Sequence, residues 1–213
     1  MSEFTSGSLF LKIHRDRVIM EAPKGALLKD FSNSWTVLLT EDNYAEELRA
    51  PEYIYSISKE VPLLYFYNYE DHFWGYRIFH MGEEVGDIHV SREFKEEVVS
   101  NFARKRYPEK RYFELVVSGK LDELRKELKK DGVFEDVFSR IFSRSNVEQF
   151  KLFGFTEETI QKLSQLLDIE KANTITKTFK LVDKFKKIIN IEEMTNIRHE
   201  RILEFQKYDV IIN

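Results

Sequence analysis

Eight of the seventeen residues from Leu63 to Phe79, LLYFYNYEDHFWGYRIF, are Phe, Tyr or Trp. So dense an aromatic run lowers its free energy by being buried, and its composition favours extended chain. The two halves flank Glu70-Asp71-His72, and a second turn at Gly82-Glu83 leads into Val85-Gly86-Asp87-Ile88-His89-Val90. The pattern predicts a three-strand antiparallel meander. Upstream, Ser8–Ile13 and Val18–Glu21 read as strands around the polar turn His14-Arg15-Asp16-Arg17, and Trp35–Leu39 as an apolar strand between Ser-Asn-Ser and Thr-Glu-Asp-Asn. Asn43–Arg49 reads as a helical turn. Pro51 and Pro62 bracket a Tyr-Ile-Tyr-Ser-Ile segment whose type the pattern leaves open. Together these give an antiparallel or mixed sheet of five or six strands.

From Ser91 onward the apolar period changes from two to 3.6. Phe94, Val98 and Phe102 follow Ser91 as N-cap, with Glu93 in the first turn. Leu121, Leu124 and Leu128 mark a helix ending at Asp131-Gly132, and Phe134, Val137, Phe138, Ile141 and Phe142 mark the next. Thr156 caps Glu157-Glu158 ahead of Ile160, Leu163 and Leu167. Ile175, Phe179, Val182 and Ile189 line one face of a further helix, and Asn190 with Glu193 resembles a capping box for a last helix through Phe205. The expected class is α+β, with an N-terminal sheet and a C-terminal helical bundle packed against it. The expected division is a β-rich domain at 1–95 and a helical region at 96–213, packed as one unit.

A chain of 213 residues can bury a core of its own without covalent staples, and it contains no cysteine. Thiol nucleophiles, disulfides and thiolate metal sites are thereby excluded, and a reducing, cytoplasmic setting is expected. No window approaches the roughly 20 apolar residues of a membrane span, so no membrane partner is expected. The net charge of −4 hides an asymmetry. Residues 1–100 carry ten Lys/Arg against eighteen Asp/Glu, a balance of −8, while residues 101–213 carry twenty-three against nineteen, a balance of +4.

Several constellations could carry chemistry. With Gly82-Glu83 as a two-residue turn, His80 stands opposite Val85, Ile78 opposite Asp87 and Tyr76 opposite His89, so that His80, Asp87 and His89 share a face. Two imidazoles and a carboxylate could hold a divalent metal with positions left open, although polar residues beside a sheet edge are the commoner meaning of such a pattern. Asp71-His72 occupies a hairpin tip, where exposed residues often serve function and where Asp also simply makes turns. Arg77 shares an apolar strand face with Phe73, Gly75 and Phe79 and needs a carboxylate, a ring or solvent; a structural ion pair is the expected outcome. Asp87 followed by Glu93-Phe94-Lys95 only loosely approximates a nuclease pattern. His199-Glu200 has Leu203 where a zincin helix needs its second histidine. No phosphate-cradling Gly-rich loop and no nucleophile elbow occurs. The six lysines of residues 171–190 include Lys177, Lys180, Lys184 and Lys187, which lie opposite the apolar stripe, as solvated residues do. No catalytic residue and no cofactor is indicated.

Pro62–Gly75, PLLYFYNYEDHFWG, and Phe185–Arg198, FKKIINIEEMTNIR, resemble segments of uncharacterised cytosolic proteins from low-GC Gram-positive bacteria. The resemblance covers most of the chain and implies a bacterial cytosolic protein without implying an activity or site residues. In texture the chain is also similar to immunity proteins of bacterial toxin systems, which are small, acidic, cysteine-poor and rich in aromatics. The favoured expectation is therefore a non-enzymatic, immunity-like or defence-associated module that binds a basic protein partner through Glu46, Glu47, Glu70, Asp71 and His72. The alternatives are a metal-dependent hydrolase or nuclease using Asp87 and His89, with Glu93 as a further candidate, and a nucleic-acid-binding accessory protein.

Overall fold

A computed structural model describes residues 4–32, 34–69, 72–91, 93–168 and 178–213, with backbone alone at 178 and 179. Among the described residues, strands β1 (Phe4–Leu11), β2 (Leu27–Phe31), β3 (Trp35–Leu39), β4 (Leu63–Tyr69), β5 (Phe73–His80), β6 (Glu83–Ser91) and β7 (Val210–Ile211) form one antiparallel sheet. Their order is β6-β5-β4-β1-β3-β2-β7. The meander β4-β5-β6 forms one end of the sheet, as the aromatic run predicts. The two-residue β7 returns from the C-terminus to pair with β2, so the sheet unites both ends of the described chain.

Both faces of this sheet are covered. On one, Trp74, Tyr76, Ile78, Ile88 and Val90 pack with Phe150, Leu163, Phe185 and Ile189 of the C-terminal half. On the other, Phe10, Leu38, Tyr65, Tyr67 and Phe79 pack with Val18, Ile54 and Ile57. The last three belong to α1 (Arg15–Glu21) and α2 (Glu52–Ser58). An antiparallel sheet with one wet face alternates polar and apolar residues, and a sheet covered twice does not. That is why Trp35–Leu39 is buried at every position and why Leu63–Asn68 reads as a continuous buried run. Val18–Glu21 is therefore helix, not strand: a short 3₁₀ turn at Lys12–His14 leads directly into α1. The segment between the two prolines is α2. Residues 43–49 form an irregular loop, not a helical turn, and β2 is a strand that the pattern did not predict.

The helical half begins with α3 (Phe94–Arg106), α4 (Tyr112–Val117), α5 (Lys120–Lys130) and α6 (Val133–Ser143). These four have a small core of their own, built on Val99, Ala103, Leu115, Leu124 and Phe134. A 3₁₀ segment at Val147–Phe153 then leads to α7 (Glu157–Leu166), whose Thr156 accepts the Thr159 N–H as expected of its N-cap. Next come α8 (Thr178–Ile188) and α9 (His199–Glu204). Val182 and Ile189 are buried as the stripe requires, while Ile175 lies outside the described residues. The predicted long last helix shrinks to α9. Asn190 and Asn196 take positive φ, which breaks the backbone into turns before His199.

Candidate functional site

The site grows out of the turn between β5 and β6. Met81 (φ 53°) and Gly82 (φ 78°) are its two central residues, both left-handed as a type I′ hairpin requires. His80 therefore faces Glu83, not Val85. A bulge follows: Phe79 faces Glu84 while Ile78 faces Gly86, which sets Asp87 opposite Arg77 and His89 opposite Gly75. This register corrects the metal-site geometry expected from sequence. A slip of one residue exchanges faces, so Asp87 and His89 lie with Gly75 and Arg77, whereas His80 alternates to the side of Tyr76 and Ile78. Among the described residues, no three His, Asp or Glu side chains gather as a metal-binding group.

The face bearing Asp87 and His89 lies beneath the loop at residues 41–50. Tyr44 pins that loop: its ring stacks on Tyr65 at 3.8 Å between centroids and its hydroxyl shares a 2.7 Å hydrogen bond with Ser8. Arg77, buried on this face, donates to the carbonyls of Tyr44 (3.0 Å) and Glu47 (3.2 Å) and makes two hydrogen bonds to Glu84, of 2.5 and 3.0 Å. The ion pair expected for Arg77 is present. Through those carbonyl bonds the same guanidinium also carries the loop that presents Glu46 and Glu47.

Two hollows open here and share Glu46. The first, about 380 Å³, lies between Glu46-Glu47-Leu48 and a floor of Tyr67, Arg77, Asp87 and His89, with Arg144 at its side. Arg144 reaches Asp87 at 2.7 Å because its carbonyl accepts the Asp87 N–H and ties the 144–146 turn along the free edge of β6. The second hollow, about 410 Å³, is lined by Asn43, Glu46, His72, Glu93 and Glu97 over Tyr69 and Phe73. Together the two hold the carboxylates Glu46, Glu47, Glu84, Asp87, Glu93 and Glu97 against the guanidiniums Arg77 and Arg144. Both guanidiniums already serve Glu84 and Asp87. Among the described residues, Glu46, Glu47, Glu93 and Glu97 form no ion pair.

An aromatic surface joins the hollows. The His89 ring lies 4.9 Å from that of Phe73, which lies 4.8 Å from Tyr69. Burial holds His89 below its usual pKa, although Glu46, Glu97 and Asp87 pull the other way, so the neutral ring is favoured. Burial raises the Asp87 carboxyl, opposed by Arg144 and reinforced by Glu84. Tyr67 is raised by burial and stays protonated; its hydroxyl shares a 3.0 Å hydrogen bond with His89 Nδ1.

The structure thus brings Glu46, Glu47, His72, Asp87 and His89 to one region and leaves His80 outside it. Glu70 and Asp71 lie outside the described residues. Sequence reasoning missed Tyr67, Gly75, Glu97 and Arg144 as neighbours of this region, since its pieces come from strands, a loop, a helix start and a turn far apart in the chain. Lys180, Lys184 and Lys187 are solvent-exposed on α8, as the apolar stripe predicts. Among the described residues no helix is long and apolar enough to cross a membrane. Compared with models of protein families, with curated proteins and with solved structures, the chain matches none.

Proposed function

We propose that the protein is a binding module that grips a basic segment of a protein partner in the paired hollows around Glu46. The observation that carries this reading is the surplus of carboxylates over an aromatic floor. Glu46, Glu47, Glu93 and Glu97 have no cationic partner among the described residues, and Phe73, Tyr69 and His89 lie beneath them. Lysine or arginine side chains entering there would meet both opposite charge and ring faces. The −8 balance of residues 1–100 would steer a basic surface toward this side of the molecule. An immunity-like or defence-associated role in a bacterial cytoplasm fits this chemistry and is part of the proposal.

The test is capture of proteins from a bacterial lysate on the immobilised chain at low salt. A specifically retained basic protein should be lost with Glu46→Lys plus Glu47→Lys and retained with Lys180→Glu plus Lys184→Glu. The opposite pattern, or retention of labelled DNA or RNA through the α8 lysines near physiological salt, would overturn the reading in favour of nucleic acid.

A catalytic reading has one specific observation in its favour. Asp87 with a raised pKa and His89 with a lowered one open side by side into the first hollow, an arrangement suited to proton transfer in hydrolysis. Assay of the purified chain on model ester and phosphodiester substrates with His89→Ala as the control separates the two. Hydrolysis by the wild type that is lost in the mutant would favour a hydrolase.

A further inference from the structure

Helix α4 is a six-residue segment, Tyr-Phe-Glu-Leu-Val-Val, and of its apolar side chains Leu115 alone is buried. Phe113 is 74% exposed, Val117 71%, Val116 50% and Tyr112 47%. Apolar side chains that project this far, four from two turns of helix, are uncommon on a protein surface and mark a contact made with something else. The surrounding charge states what kind. From Arg104 to Lys120 the chain carries six cations (Arg104, Lys105, Arg106, Lys110, Arg111, Lys120) against Glu109 and Glu114, a balance of +4 inside a protein of net −4. Arg106 is taken by Glu127, but Arg104, Lys105, Lys110 and Arg111 form no ion pair among the described residues. Lys110 and Lys120, at the two ends of α4, lie close enough for Lys120 to disfavour the charge on Lys110. Glu114 offsets this only in part, and like charges held together leave a place for an anion.

From this juxtaposition we propose that α4 and the residues flanking it seat the protein on an anionic lipid bilayer, with Phe113, Val116 and Val117 entering the acyl boundary and Lys110, Lys120 and Arg111 meeting lipid phosphates. Short amphipathic elements with apolar and aromatic residues on one side and cations beside them bind the interfacial plane without spanning it. Negatively charged headgroups reward each nearby cation by roughly a fivefold gain in affinity. A second copy of the chain is disfavoured as the occupant because a two-fold contact over α4 would bring like charges together. Nucleic acid is disfavoured because two of the four projecting side chains, Val116 and Val117, present no ring on which a base can stack. A fluid bilayer accepts projecting side chains without the matching concavity that a folded partner would need.

The experiment is co-sedimentation of the full chain with vesicles of phosphatidylcholine alone or with one-third phosphatidylglycerol, at low and physiological salt. The expected result is binding only to the anionic vesicles, weakening as salt rises. Affinity should fall about tenfold or more for Phe113→Ser plus Val117→Ser and for Lys110→Glu plus Lys120→Glu. Phe113, Val117 and Lys110 are exposed, so Phe113→Ser plus Val117→Ser should keep the wild-type melting temperature; Lys120 is half-buried over the Tyr107 ring, and the melting temperature, measured alongside, separates a loss of folding from a loss of binding. Glu46→Lys plus Glu47→Lys, which tests the protein-binding site, should leave vesicle binding undiminished. No binding of the wild type to anionic vesicles at low salt would overturn the proposal. So would vesicle binding indifferent to both α4 pairs, a concentration-dependent dimer abolished by Val117→Ser in place of vesicle binding, or retention of labelled RNA with the same residue dependence.

Discussion

Tyr67 reaches His89 across Gly75. The three face one another on β4, β6 and β5, and the missing side chain of Gly75 is the space through which the Tyr67 hydroxyl comes within 3.0 Å of His89 Nδ1. A Cβ at Gly75 would lie 2.1 Å from the Ile88 carbonyl oxygen and 2.5 Å from the Tyr67 hydroxyl. The floor of the first hollow depends on this glycine.

Gly75→Ala is therefore expected to destabilise the fold by about 1–3 kcal/mol or more, because one of the obstacles is backbone that moves only by distorting the β5–β6 pairing. Urea unfolding gives the loss. A midpoint equal to that of wild type would mean that the three strands tolerate more separation than their register shows.

His89 makes stability depend on pH in a stated direction. Burial lowers its folded pKa below the reference value of 6.5, so between the two values the unfolded chain binds more protons than the folded one. Stability from this residue is complete above the unfolded pKa and declines as pH falls from about 6.5 toward the folded value. Asp87, with a raised folded pKa, has the opposite sense: its contribution is present at low pH and is lost as pH rises from 3.8. Urea midpoints from pH 8 to 5 should decline in the wild type and decline less in His89→Gln. An unchanged pH slope in that variant would assign the decline to other groups.

Trp74 is 1% exposed and packs 5.4 Å from the Phe185 ring, between the sheet and α8. Trp74→Ala should cost about 3–5 kcal/mol through lost transfer energy and a residual cavity. Its indole N–H has no hydrogen-bond partner among the described residues. Trp74→Phe, which removes that donor and keeps a ring, should cost much less. Chemical denaturation of the two variants checks both the size and the ranking.

Arg77 joins stability to the binding site. Glu84→Ala would leave a guanidinium whose side chain is 7% exposed with only the Tyr44 and Glu47 carbonyls, and breaking such a pair typically costs about 3–5 kcal/mol. Arg77→Met with Glu84→Leu should recover much of that loss while still releasing the loop. Hydrogen exchange would then rise at residues 44–48 in the double variant, and capture of the basic partner should weaken even though the Glu46 and Glu47 side chains are intact. Protection of the loop equal to that of wild type would remove Arg77 from this positioning role.

The sequence by itself determined the features that depend on local period and composition. The aromatic run could only gain by burial, so the β4-β5-β6 meander was legible, as were α5, α6 and α7, whose apolar stripes and caps lie within a few residues of one another. Arg77 on an apolar face needed a carboxylate, a ring or solvent, and the expected ion pair is the one the structure contains. Other features depended on contacts distant in the chain. A sheet covered on both faces erases the alternation that separates strand from helix, which is why β2 and the helical character of Val18–Glu21 did not show. The hairpin register was decided by two left-handed residues, Met81 and Gly82, and by the bulge near Val85. That single slip put Asp87 and His89 on one face and His80 on the other. The meeting of Glu46 with Glu97, of Arg144 with Asp87 and of Tyr67 with His89 exists only in the folded chain, because each joins segments that no spacing rule connects and that only packing brings within reach.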